Sequence, residues 1–334
     1  MTTLAEIARR AGVSPALVSR VINNDETLRV SQETRESVLR VVHEANYAPN
    51  VAAQSLRSSK SGTIAFVVHD AANPVYGEIL RGAQAEAERQ NKAILLGDSA
   101  AGNVGNSRLA QMIGGGGVDG LILQAAGVQA DNLIIKAARK KVPVVQLQTD
   151  TGLGGTLIQL PDATAAKIAT RHLRDLGHRT IGCLATVEGL TFTESRMKGW
   201  QDEMGADADP SLVAHAAPVA AEGEAATREL LLRHTEITGL VCFNVIAAIG
   251  ATRAAGALGL DVPRDLSIAS IHDVKFAEDL KVPLTVVRMP LAEMGQVAAR
   301  TVCIKGAELP ARMAIATSPE FVQRQSTAAP GRRP

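Results

Sequence analysis

Hydrophobic residues follow a helical period in the first sixty residues and a different pattern afterwards. Leu4, Ile7, Ala8 and Ala11 recur at the spacing of one helix face, which predicts a first helix that ends at Gly12. Two further helices are predicted, each preceded by a serine that can cap it. Three short helices joined by tight turns therefore predict a small helical head.

Short-range polar signals predict where these helices begin. Thr3 and Glu6 have the spacing of a capping box at the first helix. Ser14, followed by Pro15, is expected to cap the second helix, and Ser31 the third. The buried side of the third helix is expected to consist of four residues: Val38, Leu39, Val41 and Val42.

After residue 60, short apolar runs alternate with helical segments, beginning with a helix predicted at 79–90. The strands predicted in the first half of this region are 64–68, 93–96, 120–123 and 142–145. A similar alternation recurs between residues 163 and 271. Continuous apolar strands separated by helices are typical of a buried parallel sheet. The sequence therefore predicts an α/β fold with two doubly wound lobes and a ligand cleft at the carboxyl ends of their strands.

The amino-acid composition argues against several classes of function. Of 334 residues, 46% are hydrophobic and 21% are charged, which is typical of a globular protein. Only 2% are aromatic, which argues against binding single-stranded nucleic acid by stacking. Three cysteines are too few for a disulfide framework or a zinc cluster. We find neither a secretory signal nor a membrane-spanning run, and we expect a cytoplasmic protein with no metal and no membrane partner.

Enzymatic motifs are also missing from the sequence. The glycine run at 114–117 is not followed by the Gly-Lys-Ser/Thr of a phosphate-binding loop, and it precedes a predicted strand. The chain has no nucleophile elbow and no paired carboxylates at catalytic spacing. We therefore expect neither an enzyme nor a cofactor.

The second predicted helix has the features of a DNA-reading helix. Ser14 would direct the amino end of that helix towards a phosphate, and Ser19 and Arg20 would project where they can reach base edges. Residues 1–60 hold eight Lys and Arg against six Asp and Glu, a net charge of +2. Because one such head would bind DNA weakly, we expect a homodimer.

Several motifs in this order are characteristic of one family. They are Gly12-Val13-Ser14, Val18-Ser19-Arg20-Val21-Ile22-Asn23, Asn46-Tyr47-x-Pro49-Asn50, Val118-Asp119-Gly120-Leu121-Ile122, Leu176-Gly177-His178-Arg179 and Pro283-Leu284-Thr285. Through them the chain resembles the LacI/GalR family of bacterial transcriptional regulators over nearly its whole length. The resemblance implies a helix-turn-helix head joined to two lobes like those of type I periplasmic binding proteins.

The resemblance also implies a division of the chain into domains. The head would span 1–49, the hinge helix and linker 50–60, the effector-binding and dimerisation core 61–327, and a tail 328–334. Within the core, the first lobe would take about 61–160 and 290–320, and the second about 161–289 and 321–327. The tail carries no leucine heptad, so a dimer is expected rather than a tetramer held by a coiled coil.

Residues that contact DNA follow from the same resemblance. The variable base-reading positions would be Pro15 and Ala16, and Leu56 of the hinge helix would insert between base pairs in the minor groove. Both variable residues are small and apolar, which would leave Arg20 to contact a guanine. The implied DNA-contacting set is Thr3, Ser14, Pro15, Ala16, Ser19, Arg20, Asn23, Ser31, Tyr47, Asn50, Ala53, Leu56 and Arg57.

A small effector, most often a sugar, would bind between the lobes. The implied effector-binding set is His69, Asp70, Asn73, Tyr76, Gln124, Phe192, Arg196, Asn244 and Asp273. The chain departs from the family at Asn244-Val245, where an Asp usually follows the Asn and holds sugar hydroxyls. With that carboxylate absent, and with Arg196, His69, His272 and Lys275 as nearby basic candidates, a sugar acid is an alternative to a neutral sugar.

The expected function is regulation of a catabolic operon by a repressor that binds a palindromic operator and is switched by the effector. Two alternatives stay open at this stage. The small molecule could instead strengthen DNA binding, or the chain could bind a ligand without any role on DNA.

Overall fold

A computed structural model describes residues 2–23, 25, 27–47, 60–99, 108–304 and 309–331. The chain forms two compact units, Met1–Ser61 and Gly62–Pro334, each with its own hydrophobic core. Within the described ranges, no helix is both long and apolar enough to cross a membrane. The four residues predicted in the hinge helix lie outside the described ranges: Asn50, Ala53, Leu56 and Arg57.

The described residues of the head form three helices: α1 Leu4–Ala11, α2 Pro15–Ile22 and α3 Gln32–Glu44. Each begins as predicted, because the Thr3, Ser14 and Ser31 hydroxyls each accept a hydrogen bond of 3.2 Å from a backbone N–H three residues on. Gly12 ends α1 with φ 68°, a left-handed conformation that favours glycine. The fully buried residues of the head are Ile7, Ala8, Val18, Val21 and Val38.

Two predictions about the head were wrong in detail. The Glu6 carboxylate accepts hydrogen bonds of 2.7 Å from Arg9, so only the Thr3 half of the predicted capping box is formed. Leu39 is 45% exposed, although it was expected on the buried side of α3. Val38 takes the inward position, and the next residue lies about 100° further round the helix, off the buried face.

In the part of the body that the structure describes there are two six-stranded sheets, and the first belongs to the first lobe. Its strands are β1 Thr63–Val68, β2 Ala93–Asp98, β3 Gly120–Gln124, β4 Val144–Leu147, β5 Thr156–Gln159 and β11 Arg312–Ala314. Their order is β11-β5-β4-β3-β1-β2, and all neighbouring pairs are parallel. The accompanying helices are α4 Pro74–Arg89, α5 Arg108–Gly114, α6 Gln129–Ala138 and α11 Leu291–Val302.

The second sheet belongs to the second lobe. Its strands are β6 Ile181–Ala185, β7 Val213–His215, β8 Gly239–Cys242, β9 Ser267–Ile271, β10 Thr285–Arg288 and β12 Glu320–Val322. The order is β12-β10-β9-β8-β6-β7, with only the edge strand β12 antiparallel to its neighbour. Its helices are α7 Asp162–Asp175, α8 Thr191–Met204, α9 Ala220–Arg233 and α10 Val245–Ala257. The predicted α/β architecture with a helical head and two parallel-sheet lobes is therefore confirmed.

Helix α4 begins five residues earlier than the predicted start at residue 79. The Asn73 side chain accepts a hydrogen bond of 3.1 Å from the backbone N–H of Val75, and Pro74 occupies the first helical position. Proline is favourable there because its missing N–H would have no helical partner. This start places Asn73 and Tyr76 at the carboxyl end of β1, where a ligand cleft is expected.

Helices α4 and α11 cross so closely that one glycine of α4 has no space for a Cβ atom. A Cβ atom on Gly82 would overlap the backbone carbonyl of Ala292, whereas Gly77 on the same helix has open space around it. We expect Gly82→Ala to lower the free energy of unfolding by about 1–3 kcal/mol. Gly77→Ala should raise it by about 0.5–1 kcal/mol because alanine favours the helix. Urea unfolding of both variants tests this close crossing of the two helices. A change in the free energy of unfolding of the same size and direction in both variants would contradict it.

Candidate DNA-binding head and effector cavity

Helix α2 presents one exposed row of side chains. Pro15, Ser19 and Asn23 are spaced four residues apart, as are Ala16 and Arg20, so they share adjoining stripes of the helix surface. Except for the half-buried Ser19, these side chains are exposed. The structure thus brings the predicted base-reading residues together on one face of α2.

The remaining predicted DNA contacts surround the helix ends of the head. Thr3, Ser14 and Ser31 are exposed N-cap residues. Tyr47 is half-buried and packs against the hydrophobic core of the head. The amino ends of three helices carry unpaired N–H groups, and these are suitable partners for phosphate oxygens.

A cavity of about 230 Å³ lies in the body between the carboxyl ends of the two sheets. Residues after β1, β3 and β4 line it from the first lobe, and residues after β6, β8 and β9 line it from the second. Its polar lining consists of His69, Asn73, Tyr76, Gln124, Gln148, Thr186, Arg196, Asn244 and His272. Its apolar lining includes Val75, Ile79, Val128, Val187, Leu190, Phe192, Pro218 and Leu291. This is the position where doubly wound lobes bind ligands.

Arg196 lies at the wall of this cavity with its donors already engaged. Its side chain is 1% exposed and donates a hydrogen bond of 2.7 Å to the Asp162 carboxylate, which is also buried. Further hydrogen bonds go from Arg196 to the carbonyl oxygen of Phe243 and, over 2.9 Å, to Nε2 of His272. Burial raises the pKa of Asp162, and the charge of Arg196 opposes that shift. The donors of Arg196 are therefore taken up by Asp162, Phe243 and His272 at the cavity wall.

His272 is held in its neutral form. Burial, reinforced by the charge of Arg196, lowers its pKa well below the usual value. Because an arginine only donates, Nε2 of His272 must accept, and the proton resides on Nδ1. That Nδ1 is buried and has no partner among the described residues, and the same holds for Nδ1 of His69. Both rings line the cavity, so each offers a nitrogen that a ligand could satisfy.

Two lining residues adopt backbone conformations that are unfavourable for their type. His272 has φ 72° and Gln148 has φ 67°, both in the left-handed region. Such conformations cost about 1–3 kcal/mol and tend to occur at functional sites. The Gln148 side chain accepts a hydrogen bond of 3.1 Å from the backbone N–H of Leu160, which fixes it at the cavity wall.

Apart from the two histidines, Arg196 is the one basic side chain among the described residues that line the cavity, and it is paired with Asp162. Burial, with the nearby charges of Asp70 and Asp131, raises the pKa of Tyr76 to about 12, so its hydroxyl stays protonated. Asp131 is itself buried and accepts hydrogen bonds of 2.8 and 3.2 Å from the N–H groups of Ala126 and Val128, which positions the loop that lines one side.

Two residues of the predicted effector set do not line this cavity. The Asp70 side chain accepts a hydrogen bond of 2.9 Å from the N–H of Ala72, at the turn before α4. Asp273 pairs with Arg288 at 2.8 Å and with Arg324 at 3.0 Å, and it lines a separate cavity of about 410 Å³. Lys275, a basic candidate for binding a sugar acid, also lines that second cavity.

Sequence reasoning did not assign a role to Asp162, Gln148 or Thr186, although all three contribute to the site. Phe192, a member of the predicted effector-binding set, lines the cavity. Its ring lies 5.0 Å from the guanidinium carbon of Arg196, whereas Phe243 is fully buried in the core. The described residues include no group of three or more His, Cys, Asp or Glu that could hold a metal ion.

The neutral histidines predict a pH dependence of stability. Burial lowers the pKa of His272 and of His178, so around and below pH 6.5 the folded state binds fewer protons at these histidines than the unfolded chain does. The free energy of unfolding should therefore fall as the pH drops below about 6.5, by up to about 1.4 kcal/mol per pH unit for each histidine. Urea unfolding between pH 5.5 and 7.5 tests this. His272→Asn should make the dependence shallower, and an unchanged slope would contradict the assignment.

Comparisons with known proteins give consistent results. Residues 3–50 match the family described as bacterial regulatory proteins, lacI family, and residues 170–327 match a periplasmic binding protein-like domain. The transcriptional regulator DegA of Bacillus subtilis is 31% identical, over 98% of both chains. The transcriptional repressor CytR of Escherichia coli is 29% identical, over 88% of this chain and 86% of its own. A solved complex of the regulator CelR with cellobiose has a TM-score of 0.73 and 26% identity, over 98% of this chain and 100% of CelR.

Proposed function

Because the chain belongs to the lacI family of bacterial regulatory proteins, we propose that a small uncharged molecule bound between its lobes controls its affinity for an operator. The chain is a DNA-binding transcriptional regulator, and its relatives are regulators rather than enzymes. We further propose that it is a cytoplasmic repressor that binds a palindromic operator as a homodimer. CytR, a relative of similar length, is a named repressor.

DNA binding in this proposal is the task of the head. The exposed row on α2, from Pro15 to Asn23, enters the major groove, and the capped helix ends contact phosphates. Pro15 and Ala16 offer only apolar contacts, such as contact with a thymine methyl group. Arg20 then supplies the strongest hydrogen bonding to a base.

The pairing of Arg196, the one arginine among the described lining residues, is the observation that carries the effector proposal. Arg196 is paired with Asp162, and burial lowers the pKa of His272, so neither group offers an anion a free positive charge. Neutral donors and acceptors, among them Asn73, Gln124 and Asn244, match the hydroxyl groups of a sugar. CelR, a structural relative, binds cellobiose. The volume of about 230 Å³ favours a ligand the size of one sugar ring.

Contacts from both lobes explain how such a ligand could act as a switch. Asn73 and Gln124 belong to the first lobe, and Asn244 and His272 to the second. A molecule that bridges them stabilises one arrangement of the lobes, and it shifts the equilibrium by its difference in affinity for the two arrangements. We propose that the arrangement it favours has the lower operator affinity.

A thermal-shift measurement on the full chain tests the identity of the effector class. We expect a neutral monosaccharide to raise the melting temperature, because a ligand at a hundred times its Kd stabilises the folded state by about 2.7 kcal/mol. The corresponding sugar acids serve as matched controls, since they differ in the carboxylate, and they should produce no shift. A shift with the acids alone would overturn the proposal of an uncharged ligand.

A further inference from the structure

The guanidinium group of Arg20 is held by the loop that follows α2. Its Nε donates a hydrogen bond of 2.7 Å to Oδ2 of Asp25, and its Nη2 donates one of 2.9 Å to the Thr27 hydroxyl. That hydroxyl in turn donates a hydrogen bond of 2.7 Å to Oδ1 of Asp25. The three side chains therefore form a closed ring of hydrogen bonds, which we call the Arg20 clasp.

The backbone of the loop is fixed by the same residues. The N–H of Asp25 donates to the carbonyl oxygen of Arg20 over 3.0 Å, and the N–H of Thr27 donates to Oδ1 of Asp25 over 2.9 Å. The hydrogen bond from Arg20 is the largest of several that lower the pKa of Asp25 to about 2. Asp25 is therefore ionised throughout the physiological pH range, and the Arg20 clasp does not depend on pH there.

What Arg20 can still bind depends on which N–H donors of its guanidinium group are already used. Arginine carries five N–H donors in a fixed plane. The Arg20 clasp uses the edge formed by Nε and one Nη2 hydrogen, and it leaves the end formed by Nη1 and the second Nη2 hydrogen. Nη1 has no partner among the described residues. Two parallel donors of this kind match O6 and N7 of a guanine in the major groove.

The negative charge of Asp25 is unfavourable for binding to DNA in general. A carboxylate on the DNA-facing side of a head is repelled by phosphates, so Asp25 should weaken general affinity for DNA. A fixed orientation of Arg20, in contrast, improves discrimination between bases, since less side-chain entropy is lost on contact. The carboxylate therefore favours specificity at the expense of non-specific binding.

We propose that Asp25 and Thr27 are positioning residues that orient Arg20 for bidentate contact with one guanine in each operator half-site. This inference rests on the proposed base contact of α2. It assigns specificity to a loop outside the helix that enters the groove.

Selection of operators from a random duplex library by the full-length protein tests the proposal. The wild type should select a guanine at one position of each half-site, and Arg20→Ala should lose that preference. Asp25→Asn preserves the shape and removes the charge, and it should reduce the guanine preference about tenfold. Its affinity for random DNA should be unchanged or higher. Thr27→Val should weaken the preference, and the conservative Thr27→Ser should restore it.

The controls separate this proposal from a purely structural role. In the double variant Arg20→Ala/Asp25→Asn, the guanine preference should be the same as in Arg20→Ala alone, because both changes act through one contact. The proposal would be overturned if Asp25→Asn kept the guanine preference of the wild type. It would also be overturned if this variant bound the operator more tightly with that preference unchanged, because the carboxylate would then be sequestering Arg20. If the wild type selected no sequence, the proposed base contact would itself fail. If Arg20→Ala relaxed one position and Asp25→Asn did not, only the positioning role would fail.

Discussion

Replacing Arg196 by methionine is expected to lower the free energy of unfolding by about 3–5 kcal/mol, because it leaves a buried carboxylate without its partner. The side chains of Arg196 and Asp162 are 1% and 3% exposed, so water cannot compensate for the lost contact. The same change removes hydrogen bonds to the carbonyl of Phe243 and to His272. Urea unfolding of the full chain measures the loss.

Arg171→Met is the matched control for this experiment. Arg171 forms a comparable pair with Glu203 at 2.8 Å, but its side chain is 62% exposed. Exposed pairs contribute little, so this variant should show no measurable loss. A double variant, Arg196→Met/Asp162→Leu, removes both buried charges and should recover part of the stability. Equal effects of Arg196→Met and Arg171→Met would contradict the claim that burial makes the Arg196–Asp162 pair important for stability.

The second large effect is expected from filling the effector cavity at its rim. Val187 lines the cavity and is 47% exposed, so a tryptophan there can enter the cavity without disturbing the core. We expect Val187→Trp to weaken effector binding about 100-fold, which corresponds to about 2.8 kcal/mol. The head is unaltered, so the variant should still bind the operator and fail to respond to the effector.

Val219→Trp controls for the introduction of an exposed tryptophan. Val219 is 44% exposed and is not among the residues that line the cavity. Its replacement should leave the response to the effector as in the wild type. Operator-release titrations of both variants make the comparison. If both variants responded normally, the effector would have to bind elsewhere.

The head could be predicted closely from sequence because its signals are local. A serine or threonine cap lies next to the helix it starts, and Gly12 lies next to the helix it ends. Leu39 was misplaced because four apolar residues within five positions cannot all face one core. The orientation of that helix depends on contacts with two other helices, which sequence spacing does not contain.

The body was predicted in outline, and five of its described strands were missed. They are β5, β7, β10, β11 and β12, which contain three or four residues each and lie at or next to the sheet edges. They lack the long apolar runs that reveal buried central strands. α4 was predicted to start late because Asn73 and Pro74 resemble a loop in composition, whereas here they form the start of the helix.

The effector cavity shows more clearly how far its residues could be predicted from the sequence. Residues that follow strands could be anticipated, because parallel strands end at one edge of a sheet. The direction in which the Asp273 side chain points could not be anticipated, because its partners Arg288 and Arg324 are 15 and 51 residues away in the sequence. The pairing of Arg196 with Asp162 is equally remote in sequence. Because of these two ion pairs, neither Asp273 nor Arg196 presents an unpaired charge to a ligand.

The affinity of the full-length protein for its selected operator, measured with and without the neutral sugar that raises its melting temperature, tests the central claim most directly. We expect saturating sugar to weaken operator binding by about 5- to 150-fold, the range of a coupling of 1–3 kcal/mol. In Val187→Trp the affinity should be the same with and without sugar. An operator affinity that does not change when the wild type is saturated with sugar would contradict the account.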